Sequence, residues 1–593
     1  MKSSTMKQEA TLSRSVGVAS RTIGRRHAVD WRYVIFGAVV LILIYQVAVP
    51  LVILIWASVT EARPGSPDFF LIENLTVSNY LRALQSSYLY EALWNTAIFT
   101  AGVTVMAFTL GSALAWLVVR TNMPFRQLIT VLCLVRLIVP GILTTIAWVF
   151  LAGPEIGLIN TVTRSVFGAE EPLVNIYSMA GMIWVEGLDL LPLAFLLMSA
   201  SLRSMDPSLE EASLVAGKNL ASTTFRVTFP ILLPSVLATL ILLIIRGVET
   251  FETPAIIGVP VGIMTFVTEI WLNTSTTPTD LGLAATYAVL VLLLCLCLVG
   301  CYTRATRHSA MFATVSGKAY RPRIADLRSW RWPAFGFAIL VMTASVLLPM
   351  LVLLWSSLMP TFTQISMDAV SQATLKNYVD IIQYPLTRRA FLNSTFLGVT
   401  SATATVMLLS IVAWLTVKTR IRGRHMLDLL AFAPIAVPSI MMGVAFLWLY
   451  IILPVPVYGT IWILFLFYVA RYMPVVMRIL SASIVQLGDE LHEAAEVTGA
   501  TWWRSFRTIT LPLLRPGLVA AWVFVLIHAF RELSGSLIIY AAGTEPIGVA
   551  IFDLWEDGSF PLLSAFGVVV FVVLVVLSLL AQRIGARFGV RDV

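Results

Sequence analysis

Twelve apolar runs of about twenty residues or more dominate this 593-residue chain. They lie near 33–57, 94–118, 128–152, 178–201, 229–248 and 283–302, and again near 333–357, 392–417, 427–452, 458–477, 511–530 and 563–582. Each is long enough to cross about 30 Å of hydrocarbon. Backbone polar groups in lipid must find partners within their own segment, so each run is expected to be a helix. The expected fold is therefore an all-α polytopic membrane protein with about twelve transmembrane helices. Composition agrees: 58% of residues are hydrophobic and only 12% charged, against about 25% charged in a soluble domain. Such a chain cannot cover its surface with polar groups. That excludes a soluble enzyme, a disordered scaffold and a nucleic-acid-binding protein, and makes the lipid bilayer its solvent.

The net charge of +8 follows from the loops. With the N-terminus inside, 29 of the 40 Lys and Arg fall in inside segments, seven in outside segments and four within spans. That asymmetry is what the positive-inside rule requires. Residues 1–32 read as a basic cytoplasmic tail, because the first apolar run is too long for a signal-peptide core. Residues 303–332 read as a basic cytoplasmic linker and 583–593 as a cytoplasmic tail. The four cysteines, Cys133, Cys295, Cys297 and Cys301, sit in apolar runs without His or carboxylate neighbours and read as packing residues, not a disulfide or metal framework.

The chain is a duplication. Pro50 and Trp56 match Pro349 and Trp355 at an offset of 299. Asn79-Tyr80 matches Asn377-Tyr378, Asn95 matches Asn393, and Val139-Pro140 matches Val437-Pro438, all at 298. Further on the offset falls to 282, which places about sixteen extra residues in the first half, in the loop 153–177. Residues 33–302 and 333–582 are thus two six-helix repeats. Each starts and ends inside, so they run parallel, related by an axis along the membrane normal.

The most specific motif is also duplicated. In the loop 202–228 the first half reads Glu211-Ala212-Ser213, then Gly217, then Val227-Thr228-Phe229-Pro230. In the loop 478–510 and just beyond it the second half reads Glu493-Ala494-Ala495, then Gly499, then Ile509-Thr510-Leu511-Pro512. Small residues beside a short helix let another surface approach, and glycine permits a sharp turn. The pattern resembles the Glu-Ala-Ala loop of type I binding-protein-dependent ABC importer permeases. The resemblance implies a permease of the bacterial inner membrane, with two ATPase subunits docked on the inner side, one per loop, and a substrate-binding protein on the outer side. Glu211, Ala212, Gly217, Pro230, Glu493, Ala494, Ala495, Gly499 and Pro512 would then carry the ATPase coupling. The chain has no Walker A sequence. It is not expected to be an enzyme or to bind a cofactor itself, and ATP would be used by the partner subunits.

Fusion of both halves in one chain resembles the ferric-iron importer permeases, an arrangement shared by thiamine and aminoethylphosphonate systems. Arg531-Glu532-Leu533-Ser534 and Glu249-Thr250-Phe251-Glu252-Thr253-Pro254-Ala255 are similar to segments of the iron group. The resemblance implies ferric iron as the substrate and places Glu249, Glu252, Arg531 and Glu532 near the outer mouth, where carboxylates suit a cation path. Phe552-Asp553-Leu554-Trp555-Glu556-Asp557-Gly558 adds three more carboxylates to the same outer loop. No span holds a His or Cys cluster able to chelate iron tightly, as suits a conduit that must release its cargo. Two further charges lie inside spans, Asp189 and Arg471, and the offset of 282 superposes them. A charge there must face protein or water. Either the two pair across the halves, or Asp189 pairs with Arg136 or Arg246 in its own half. The reading from a different class is a major-facilitator secondary carrier, which also has twelve spans in two parallel halves but lacks the duplicated coupling loop.

Overall fold

The computed structural model describes residues 31–62, 65–168, 171–205, 208–307, 324–363, 367–488, 490, 495, 497–499 and 501–587. Residues 1–42 and 43–593 form two separate units. In the first, the described residues are helical from Trp31. The second holds the rest of the fold, and no strand occurs among the described residues.

Among the described residues, nine helices are long and apolar enough to cross a membrane, and four sharply bent helix pairs bring the possible number to 13. The nine are Tyr33–Ser58, Ser87–Arg120, Met179–Ser204, Arg226–Glu249 and Leu281–Arg304, then Arg328–Leu358, Pro385–Lys418, Ile461–Val485 and Phe560–Leu580. Two runs read from the sequence as continuous crossings are broken instead. Arg126–Ile138 meets Gly141–Ala152 at 103°, and Arg424–Ala436 meets Ser439–Ile452 at 110°. The cause is the duplicated Val-Pro. Proline has no N–H to donate, and it drives the residue before it out of the helical region. Val139 accordingly sits at φ −66°, ψ 127° and Val437 at φ −106°, ψ 108°.

Two more differences concern the ends of each half. The segment after Glu249, read as an outer loop, is a helical pair, Pro254–Val261 and Phe266–Ser275, bent by 80°, with Phe251, Ile257, Phe266 and Ile270 buried. Its counterpart, Ser536–Ile539 and Ile547–Glu556, buries Ile547, Val549 and Ile551. In the second half the penultimate span starts at Arg515, after a 71° bend, so that Pro516 and not Pro512 lies in its first turn. In the first half Pro230 lies in the first turn of Phe229–Glu249.

The matched residues play matched parts. Asn79 donates to the carbonyls of Ser58 (3.3 Å) and Thr60 (3.0 Å), and Asn377 to those of Ser357 (2.9 Å) and Met359 (2.8 Å). The Tyr80 hydroxyl meets Ser58 Oγ at 2.8 Å and that of Tyr378 meets Ser357 Oγ at 2.7 Å. Each amide side chain satisfies carbonyls that the end of the first span leaves without helical partners.

The halves interlock through the broken helices. Ser439–Ile452 packs on Val49–Ser58 of the first half, and Gly141–Ala152 packs on Leu348–Leu358 of the second. Tyr45 and Tyr450 share a 2.8 Å hydrogen bond across this seam, and the Phe69 and Trp448 rings lie 5.4 Å apart.

Candidate functional site: a buried charged seam and two paired loops

The two helix breaks bring together the charges that the sequence scatters. Asp189, on Met179–Ser204, pairs with Arg136, on the segment just before the first break. Arg471, on Ile461–Val485, pairs with Glu249, the last residue of Phe229–Glu249. The direct cross-half pair of Asp189 with Arg471 is therefore not made. Asp189 takes the local alternative, Arg136, and Arg471 takes a different carboxylate from the opposite half. Glu249 also accepts from Arg246 at 2.9 Å and from the Ser439 N–H at 3.3 Å, which opens the helix after the second break. Arg471 donates in addition to the Val437 carbonyl at 3.3 Å.

The remaining path candidates join the same seam. Glu532 accepts from the Ser439 hydroxyl, and from the Gly535 N–H at 3.2 Å. Arg531 donates to the Leu137 carbonyl, beside the first break. Glu252 lies within electrostatic reach of Asp189, Arg531 and Glu532. The Glu249 side chain is only 12% exposed, closed in by Arg471, Arg246 and the Ser439 N–H.

A pseudo-symmetry with inverted sign relates these residues. The offset of 282 that relates Asp189 to Arg471 also relates Glu249 to Arg531. The observed pair is Arg471 with Glu249. Its image would be Asp189 with Arg531, but there Asp189 pairs with Arg136 and Arg531 with the Leu137 carbonyl. The cross-half ion pair joins Arg471, a cation of the second half, to Glu249, an anion of the first.

One residue of the seam escaped the sequence reading. Glu186 is 6% exposed and accepts from Thr250 and Thr253, each at 2.9 Å. The available signal was a second carboxylate three residues before Asp189, on the same helix face, in an otherwise apolar span.

The duplicated loops form the second part of the site. In the first, Ser208–Val215 is a short helix closed by Gly217 at φ +80°. The Lys218 N–H bonds the Ser213 carbonyl at 3.2 Å, the six-residue closure of a Schellman cap. Gly499 takes the same conformation at φ +77°. A Cβ added at either glycine would meet none of the described residues within 4 Å. Ala212 is exposed and Ala495 buried. Glu493 and Ala494, and the side chain of Glu211, lie outside the described residues. Two residues not singled out from the sequence stand next to the glycines: Val215 and Val497, at equivalent positions, are 89% and 88% exposed.

The loops are braced differently. Behind the first, Arg120 pairs with Glu210 at 2.9 Å, and Glu210 accepts from the Thr228 hydroxyl at 2.6 Å. Behind the second, Trp414 stacks on Trp502, with centroids 5.3 Å apart. The end of the inter-half linker also docks beside the first brace. Asn122 donates to Asp326 at 2.6 Å and accepts from the Leu327 N–H at 3.0 Å. Hydrogen bonds from the Arg328 N–H and Asn122 hold the Asp326 carboxyl below its ordinary range.

An all-helical chain with two repeats, a charged seam between them and an exposed apolar-tipped loop in each has the build of a membrane transport subunit. It belongs to the family of binding-protein-dependent transport system inner membrane components, whose model matches residues 107–308 and 406–590. Among similar proteins, the ferric transport system permease protein FbpB of Actinobacillus pleuropneumoniae is 23% identical over 86% of this chain and 73% of its own. The Fe(3+)-transport system permease protein FbpB 2 of Haemophilus influenzae is 24% identical over 79% of this chain and 85% of its own. A putative 2-aminoethylphosphonate transport system permease protein PhnV of Salmonella typhimurium is 27% identical over 44% of this chain and 98% of its own.

Proposed function

We propose that this chain is the permease of an ATP-driven importer for ferric iron, fed by a binding protein outside and driven by two ATPase subunits inside. Support for the coupling comes from the duplicated loops. Val215 and Val497 expose apolar side chains beside left-handed glycines at equivalent places, a surface suited to insertion into a partner. Both termini would then be cytoplasmic, with the chain in the bacterial inner membrane. The chain needs no nucleotide site of its own, since its role is to form the path and receive the motion.

Ferric iron is favoured by one observation above the rest. The similarity to ferric permeases extends over both halves of this chain, whereas that to the phosphonate permease covers 44% of it. Phosphonate is the second reading, on the strength of that half-length match. A strain lacking this gene is expected to lose most high-affinity uptake of radioactive ferric iron and to regain it when the gene is restored. Undiminished iron uptake together with lost phosphonate uptake would move the assignment to the second reading.

A further inference from the structure

We propose that the first helix break is a binding site for an anionic oxo group (phosphonate, phosphate or carboxylate) of the species carried through the membrane, with the Asp189 carboxylate holding its place in the arrangement seen here. The inference rests on the reading of this chain as an importer permease and adds the chemistry of a subsite. Gly141–Ala152 is a twelve-residue helix that starts inside the protein. Its first N–H groups and its dipole favour an anion, and Asp189 Oδ1 lies 3.8 Å from the point where a Cβ on Gly141 would stand. A helix start filled by a carboxylate could be no more than a capped end. What sets this one apart is the donors around it.

The Arg136 side chain is 1% exposed and gives one N–H to Asp189, but among the described residues its Nε and Nη1 have no hydrogen-bond partner. The hydroxyl of Thr144, a residue 1% exposed in the first turn of the same helix, has none either. Arg531 uses one N–H on the Leu137 carbonyl and leaves Nε buried and unpaired. Buried donors without acceptors are rare in native proteins; Arg136 and Thr144 belong to the two segments that meet at the break, and Arg531 bonds the Leu137 carbonyl beside it. A tetrahedral oxyanion with three free oxygens would satisfy more of them than a carboxylate does, through charge-assisted hydrogen bonds. The second half has no such set. At the offset of 298, Arg136 corresponds to Pro434 and Thr144 to Met442. The donors are therefore not a by-product of the repeated fold. Competition from Asp189 would keep binding weak enough for release, as a conduit requires.

The test uses the purified full-length permease assembled with its ATPase subunits in nanodiscs, with radiolabelled inorganic phosphate and 2-aminoethylphosphonate as probes in equilibrium binding. Asp189→Asn removes the competing charge and is expected to raise the affinity for at least one probe about tenfold, the equivalent of one good charge-assisted contact. Adding Arg136→Gln is expected to abolish that gain, and Arg136→Lys, which keeps the charge without the fork, to retain part of it. Each variant is first shown to elute as a monodisperse complex, so that lost binding is not lost folding. Equal binding by Asp189→Asn with and without Arg136→Gln, or no saturable binding by monodisperse Asp189→Asn, would overturn the proposal. In proteoliposomes, label carried inward alone identifies the solute itself as the source of the anion. Label carried only together with ferric ion identifies an anion that travels with the metal. Iron uptake that persists in cells while the purified protein binds no anion would remove this inference and leave the importer reading intact.

Discussion

Glu249→Ala is expected to abolish transport and to destabilise the permease by about 3–5 kcal/mol, the cost of leaving one partner of a buried ion pair alone. Arg471 and Glu249 are 14% and 12% exposed, so solvent compensates little of the stranded charge. Without Glu249, Arg471 keeps the Val437 carbonyl but no carboxylate in direct contact among the described residues. Arg246, 45% exposed, can turn to water at little cost. Thermal unfolding of the purified protein in detergent, with an uptake assay, checks both parts. The double variant Glu249→Met/Arg471→Met is expected to recover most of the stability, since replacing both charges by apolar groups of similar volume is often close to neutral. Whether transport returns with it separates structure from mechanism. A stable but inactive double variant means that the pair joins and parts during the cycle. A melting temperature for Glu249→Ala equal to that of the natural protein would refute the buried-pair account.

Gly217→Asp and Gly499→Asp are expected to give a folded permease that no longer couples to ATP hydrolysis. Both glycines hold φ near +80°, where an L side chain costs roughly 1–2 kcal/mol. None of the described residues lies within 4 Å of the added Cβ. The strain is thus small beside the stability of a large membrane protein, and the main effect falls outside the chain, where a charge and extra volume meet the partner surface. Copurification with the ATPase subunit should fall at least about tenfold for each variant, equivalent to some 1.4 kcal/mol. Normal copurification and natural transport rates in both variants would show that these turns touch no partner. Comparing the two also tests the unequal bracing of the loops. The first rests on the Arg120–Glu210 ion pair and the second on the Trp414–Trp502 stack.

The sequence made the helical class and the duplication legible, because apolar length and repeated residues are local signals. Asn79 and Asn377, matched only by offset, make the same pair of hydrogen bonds, and the matched Val-Pro dipeptides are the two helix breaks. That second signal was present but misread. An apolar run gives no sign of a bend, and only the proline, with its effect on the residue before it, marks one. The charged seam was half legible. Asp189 and Arg471 stood out because a charge within a span is costly, yet their partners depend on how the breaks bend the chain, which no periodicity records. Glu249 looked like a loop residue because the helical pair after it, Pro254–Ser275, is too short and too interrupted to read as membrane-embedded. Val215 and Val497 are ordinary residues in the sequence. Their significance lies in being exposed, which only the folded chain displays.

Reconstitution tests the account most directly. The permease, its ATPase subunits and the binding protein are combined in proteoliposomes, and uptake of radioactive ferric iron is measured with ATP inside or outside the vesicles. Uptake is expected only when ATP is on the ATPase side and all three components are present. It should be lost when Gly217→Asp and Gly499→Asp are introduced together. Uptake by the permease alone, driven by an ion gradient and indifferent to ATP, would contradict the account and place the chain among secondary carriers.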